Sequence, residues 1–388
     1  MTTGTDDSLC ASELVDLLRA ERSAGERDRR LTERAYTGLR EAGALRGWVP
    51  EPFGGTGLDL AGMVELVRTI TRGDPSASWL VMILGVGDWL TGQFDLRAQR
   101  EVYATGPDTT VCQVLAPKAR STRTEGGWLI SGSWAPASGC RHADWAMLGT
   151  EQPDATGSST SALVLVPMDE LVITDTWYPL GMRATGSELL SGQDLFVPDH
   201  RVLPRAPLVR GAFRGEHSHL RYRLALVPTL ATLLTAPMLS MAEAALEHVL
   251  ERASSRGVPF TNCARQQDSP GFQLAVAEAA TKTDAARVAA DDAVRVLQEH
   301  AARGSHPDST VRTRLRMRAV QAVRQCHQAL DELVTAHGAG ALSESSPLHD
   351  LLRDAQTAAR HALIDPATGA ELFGRTLLGL EPGITDML

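Results

Sequence analysis

The 388-residue sequence predicts an α+β protein in three consecutive segments. These are a helical segment over 1–107, an antiparallel sheet or small barrel over 108–207, and a helical bundle over 208–388. Three observations carry this expectation. Apolar residues recur at three- and four-residue steps up to about Tyr103 and again beyond about Arg221. Between Thr109 and Pro204 the pattern changes to short β-prone runs broken by Gly, Pro, Asp and Ser. No internal repeat interrupts that order.

The first helices are expected over Ser12–Ala24 and Arg30–Ala42, with Leu14, Leu17 and Leu18, then Leu31, Ala35 and Leu39, on their apolar faces. Ser12 is the expected N-cap. Val49-Pro50-Glu51-Pro52-Phe53-Gly54-Gly55 ends helix, because two prolines and two glycines cannot continue one. Leu60–Thr71 follows, and Asp74-Pro75 caps a helix that runs to Gln93. Strands are expected at Val111–Leu115, Gly127–Ser133, Ala143–Gly149, Ala162–Val166, Leu171–Thr176 and Gly192–Val197, with Glu125-Gly126-Gly127 as a hairpin turn. Long helices are expected near Tyr222–Ser255, Gly271–Ala302, Ser309–Gly338 and Ser346–Arg360, and a shorter one at Thr368–Leu378. Long antiparallel helices with short connections read as a four-helix bundle.

Composition narrows the function. Hydrophobic residues are 43% and charged residues 22%, values of a globular chain. There are 38 Lys and Arg against 47 Asp and Glu, a net charge of −9, which repels a phosphate backbone and argues against nucleic acid. The apolar run near Trp79–Trp89 falls short of the roughly 20 residues a membrane span needs. Met1–Cys10 is polar and acidic rather than signal-like, so the expected location is cytoplasmic. Five scattered cysteines form no CxxC pair. No Walker A, HExxH, GxSxG or GxGxxG motif occurs, and Gly54-Gly55-Thr56-Gly57 follows prolines rather than a buried strand. His217-Ser218-His219 lacks a third metal ligand, so no metal is expected.

Five segments carry a resemblance. They are Asp74-Pro75-Ser76-Ala77-Ser78-Trp79, Trp134-Ala135-Pro136-Ala137-Ser138-Gly139-Cys140-Arg141-His142-Ala143-Asp144-Trp145, Trp177 through Gly181-Met182-Arg183-Ala184-Thr185-Gly186-Ser187, Phe196-Val197-Pro198, and Arg353-Asp354 with His361. In this order the chain resembles the two-component flavin-dependent monooxygenases of the acyl-CoA dehydrogenase fold. It resembles in particular the aromatic-polyketide hydroxylases, such as dihydrokalafungin hydroxylase. The resemblance implies a homotetramer in antibiotic biosynthesis. It also implies reduced FMN or FAD from a separate flavin reductase, and O2 as the oxidant. One oxygen atom would enter an aromatic or polyketide-like small molecule through a flavin C4a-hydroperoxide.

Ser138 follows a β-prone run, and Gly139 lets a planar ring approach the backbone, so with Cys140 this turn is the expected flavin contact. A turn serine capping its own loop is the bland alternative. Arg183, Thr185 and Ser187 alternate along what reads as extended chain, and would face the flavin edge or phosphate together. Trp134 is expected beside the ring or in the core. The resemblance makes His361 the catalytic candidate for the peroxide oxygen. Its spacing from Asp354 reads as two turns of one helix, and its ordinary pKa suits proton transfer. It also implies that Gln273 lies near the flavin tail. Phenol-hydroxylating relatives carry a His within the stretch Val86–Trp89 and another at the position of Gln356; here Asp88 is the candidate acid or base in the first place.

Two other activities share the fold. An acyl-CoA dehydrogenase needs a Glu base after the Arg-Asp helix, and none occurs before Glu371. An amine N-oxygenase would keep the flavin chemistry and change only the pocket. A flavin-free binding scaffold would have no use for the Ser138 and Arg183–Ser187 segments.

Overall fold

The computed structural model describes residues 10–153, 159–212 and 219–388. They form two compact units. The first holds residues up to Tyr178, Arg183–Leu226 and His300–His306; the second holds Pro179–Met182, Val227–Glu299 and Pro307–Leu388.

In the first unit, α1 (Ala11–Asp28), α2 (Glu33–Glu41), α3 (Leu60–Thr71), α4 (Pro75–Thr91) and α5 (Leu96–Val102) precede the strands. Their starts follow from capping chemistry. Thr32 accepts from the Ala35 amide, Asp59 from Gly62, and Asp74 from Ser76 with Pro75 in the first turn. Ser12 is not a cap. The first helix starts at Ala11, and the Glu13 carboxylate accepts from the Cys10 amide at 2.9 Å. Every α4 residue except Ile83 is buried, so this helix is enclosed on all sides.

The strands are β1 (Val111–Val114), β2 (Ala119–Thr124), β3 (Gly127–Ala137), β4 (Trp145–Pro153), β5 (Ser159–Pro167), β6 (Val172–Thr174), β7 (Glu188–Pro198) and β8 (Val202–Pro204), followed by the short α6 (Arg205–Val209). The sheet order is β6-β7-β3-β2-β4-β5-β8, with β1 beside β4. The sheet is mixed, not antiparallel throughout: β1 runs parallel to β4, and β2 touches β4 in parallel through Arg120 and Glu151. The expected Glu125–Gly127 turn joins β2 to β3, with Gly126 at φ +73°, a conformation glycine adopts without strain. Leu14, Leu18, Leu39, Leu80 and Leu84 from the helices share one buried cluster with Ile130, Trp134, Leu148 and Val164 from the strands. The two segments the sequence separates at 107/108 therefore form one packed unit.

The second unit contains α7 (Leu226–Leu233), α8 (Thr235–Arg252), most of α9 (Pro270–Ala302), α10 (Ser309–His337), α11 (Pro347–Ala358) and α12 (Pro366–Leu377). Helix α10 packs on α8, α11 and α12. Helix α9 is tied in by Arg287–Glu243 at 2.5 Å, by Lys282–Glu332 at 2.6 Å and by Arg318–Asp292. Leu226–Arg252, rather than Trp79–Trp89, is long and apolar enough to cross a bilayer by composition. Of its most apolar 18 residues, 83% are buried inside the protein, as in a core helix.

Candidate active site

The first unit builds a turn rich in hydroxyls where β3 ends. Ser138 is 9% exposed, and its Oγ lies 2.8 Å from Ser187 Oγ, which lies 2.7 Å from Thr185 Oγ1. The Trp79 indole N–H, brought in by α4, donates to Ser138 Oγ at 3.3 Å. The Gly139 amide donates to the Thr185 carbonyl at 2.9 Å, which fastens the two loops together. Gly139 has φ +77°, and the nearest atoms to a Cβ there would be those of Leu80 and Leu84, both at 3.4 Å. Three linked hydroxyls, an indole donor and a glycine without a side chain suit the edge of an isoalloxazine ring. Hydroxyls can reverse their hydrogen bonds, so the row can offer a donor or an acceptor at Ser138.

The route to this cluster differs from the expected one. Arg183–Thr185 is a turn of 3₁₀ helix and Gly186 has φ +52°, so Arg183, Thr185 and Ser187 do not alternate on an extended face. Arg183 Nε instead donates to the Glu26 carbonyl at 3.0 Å, and only Thr185 and Ser187 join Ser138. Behind them, Arg141 pairs with buried Glu188 at 3.0 Å, and Glu188 accepts from the Thr176 and Trp177 amides. Trp134 is 0% exposed and donates to the Gly149 carbonyl at 2.8 Å, so it is a core residue and flanks no ring. The Cys140 thiol contacts the Gly186 carbonyl at 3.5 Å, and burial pushes its pKa up to about 11, which keeps it a neutral structural thiol.

Asp88 is fully buried on α4 and accepts from the Tyr103 hydroxyl at 2.9 Å. Burial raises its pKa well above the usual carboxylate range, against the opposing pull of Tyr103 and Arg221. Of the histidine pair considered for metal, His217 lies, with Ser218, outside the described residues. His219 Nδ1 accepts from the Arg221 amide at 3.2 Å, and its Nε2 lies 3.1 Å from the Gly57 carbonyl. Among the described residues no group of three or more His, Cys, Asp and Glu could hold a metal ion.

In the second unit, α11 ends at Ala358, so His361 is not on the helix of Asp354. It caps the 3₁₀ turn Ala362–Ile364, where its Nδ1 accepts from the Leu363 amide at 3.3 Å. Burial lowers its pKa to about 4, far from the near-neutral value that suits a proton shuttle. With Nδ1 accepting, the neutral ring carries its proton on Nε2 and presents an N–H donor. Asp354 is a positioning group: its Oδ1 accepts from the Met182 amide at 2.6 Å, while Thr357 Oγ1 accepts from the Gly181 amide at 3.0 Å. Arg353 pairs with Asp350 at 3.0 Å. Gln273 is exposed and donates to the Gln267 carbonyl at 2.8 Å. Glu371, the first Glu beyond the Arg-Asp helix, is exposed on α12.

Residues 232–366 match the family model for the acyl-CoA dehydrogenase C-terminal domain. The chain is 31% identical over 374 residues to the oxygenase subunit HsaA of a flavin-dependent monooxygenase from Mycobacterium tuberculosis, covering 96% of this chain and 95% of that one. It is also 31% identical to the oxygenase component of an FADH2-dependent resorcinol hydroxylase from Rhizobium, over 95% and 93% of the two chains. The solved structure of XiaF from Streptomyces, in complex with FADH2 and glycerol, superposes with a TM-score of 0.89 at 32% identity, over 97% of each chain. The chain belongs to the oxygenase components of two-component flavin-dependent monooxygenases, enzymes built on the acyl-CoA dehydrogenase fold.

Proposed function

We propose that this oxygenase accepts reduced FMN or FAD from a separate flavin reductase and uses O2 to hydroxylate an aromatic, polyketide-like small molecule. The observation that carries this reading is the linked row Ser138–Ser187–Thr185 with Trp79 at its head. A bound reduced flavin supplies the electrons that activate O2; one oxygen atom enters the substrate and the other leaves as water. Ser138, set by Ser187 and by the Trp79 indole, holds the ring edge through its hydroxyl, and Gly139 and Cys140 shape the backbone beneath it. Thr185 and Ser187 adjust the direction of the hydroxyl row. His361 offers a neutral Nε2–H to an oxygen and does not trade protons with water near neutral pH. Asp88, whose buried carboxyl is held well above the usual carboxylate range, serves as the acid. Arg183 and Gln273 are placed, by family resemblance, toward the flavin edge and tail. The same reading includes a homotetramer, a cytoplasmic location, a role in antibiotic biosynthesis and segment boundaries near 107 and 207.

Oxygen-18 tests the reaction. The full chain, a flavin reductase, NADH, FAD or FMN and 18O2 are incubated with a panel of polycyclic phenols. One 18O atom per product molecule is the expected result. Desaturation of an acyl thioester without incorporation of oxygen would contradict the reading.

A further inference from the structure

A polar cavity of about 230 Å³ lies in the first unit and shares none of its lining with the hydroxyl row. Its walls come from three places. Helix α2 brings Tyr36 and Arg40, the chain leading into β1 brings Asp108 and Thr109, and the loop between β3 and β4 brings His142 and Asp144. No step of the reaction above uses these side chains.

The cavity is held in shape by its own contacts. The Tyr36 and His142 rings stack, with centroids 4.4 Å and planes 19° apart. The Tyr36 hydroxyl donates to the His142 carbonyl at 3.1 Å and lies 3.2 Å from Thr110 Oγ1. Asp144 Oδ2 accepts from the Thr110 amide at 2.9 Å. Asp108 is engaged by Arg46, whose Nε and Nη2 each donate at 2.7 Å.

Three groups on these walls remain open to a ligand. His142 Nε2 is buried and has no hydrogen-bond partner among the described residues. Burial lowers the pKa of this ring and keeps it neutral, while a hydrogen bond to the Leu31 backbone engages its other nitrogen. That bond favours the charged ring, so the ring donates it and Nε2 is left as an acceptor. Asp144 and Arg40 form no ion pair among the described residues.

These three groups set the chemistry of an occupant. Asp144 and Arg40 cancel in net charge. A monoanion would leave Asp144 facing a like charge, and a monocation would do the same to Arg40. A neutral molecule with N–H donors at one end and a carboxylate at the other meets both, since a guanidinium matches a carboxylate in fork geometry. The volume equals about seven waters at ~30 Å³ each, room for a small amino acid.

We propose that this cavity binds a small α-amino acid as its zwitterion. The ammonium donates to His142 Nε2 and Asp144, and the carboxylate accepts from Arg40. An amino acid held in this way bridges α2 to the loop between β3 and β4. The site stands apart from the flavin reading, and its test needs neither flavin nor aromatic substrate.

The probe is L-alanine, titrated calorimetrically into the full-length protein near neutral pH. Propionate and ethylammonium, each lacking one of the two charges, are the comparisons. L-Alanine is expected to saturate with a Kd of about 1 mM or below, and each comparison to bind about 10-fold or more weakly. Arg40 is exposed on α2, so Arg40→Gln is expected to leave the melting temperature of the unliganded protein in place and to weaken L-alanine about 10-fold. His142→Phe keeps a ring against Tyr36 but removes Nε2, and is expected to weaken L-alanine as well. No saturable binding of L-alanine, equal binding of propionate or ethylammonium, or an L-alanine affinity unchanged by Arg40→Gln would each overturn the proposal.

Discussion

His361 shows how a single contact changes a residue's chemistry. The Leu363 amide takes Nδ1, and burial holds the ring neutral down to about pH 4. The folded-state pKa lies below the ordinary value of about 6.5, so the neutral ring contributes its full stability above that value and loses it as pH falls toward 4. Wild-type protein is expected to lose about 2–3 kcal/mol more than His361→Asn between those two pH values, read from denaturant midpoints at each pH. Asn keeps an acceptor for Leu363 and has no ring to ionise. Equal losses would contradict the buried neutral ring. The sequence made His361 a candidate through resemblance, but its spacing from Asp354 suggested one helix face, because the stop at Ala358 has no Gly or Pro to announce it. The extended alternation of Arg183, Thr185 and Ser187 fails for a similar reason: Gly186 turns the chain, and alternation in sequence does not reveal a positive φ. Arg40 carried no signal at all, since an isolated Arg reads as a surface residue.

At the scale of elements, α4 decides most. By propensity, replacing a helical glycine with alanine stabilises by up to about 1 kcal/mol. Gly374 on α12 has nothing within 4 Å of where a Cβ would stand, so Gly374→Ala should follow that rule. A Cβ on Gly87 would stand 2.0 Å from the Val111 carbonyl oxygen, so Gly87→Ala should destabilise instead, by about 2 kcal/mol or more. Thermal melts of the two variants check the opposite signs; stabilisation by both would show that α4 does not sit this tightly on β1. Helix extents were legible because periodicity and caps are local, and Leu60–Thr71 is observed as expected. Strand β2 was missed because its sequence, Ala119–Thr124, is polar and largely exposed on alternate residues. Parallel pairing of β1 with β4 was invisible because it depends on partners distant in sequence.

At the scale of the whole molecule, the α–β–α order and the family were legible because they rest on many residues at once. The merging of the first helices with the sheet into one core was not, since a periodic pattern shows which face is apolar and not what covers it. The central claim is that Ser138, in a row of hydroxyls reaching Thr185, lets this chain hold reduced flavin and control its reaction with O2. The most direct measurement mixes the protein with reduced FMN or FAD and then O2, without substrate, and follows hydrogen peroxide release in a stopped-flow instrument. Release from the wild-type protein should be slower than from free reduced flavin, and Ser138→Ala should accelerate it by about 10-fold or more. Release at the rate of free flavin, unchanged by Ser138→Ala, would contradict the account.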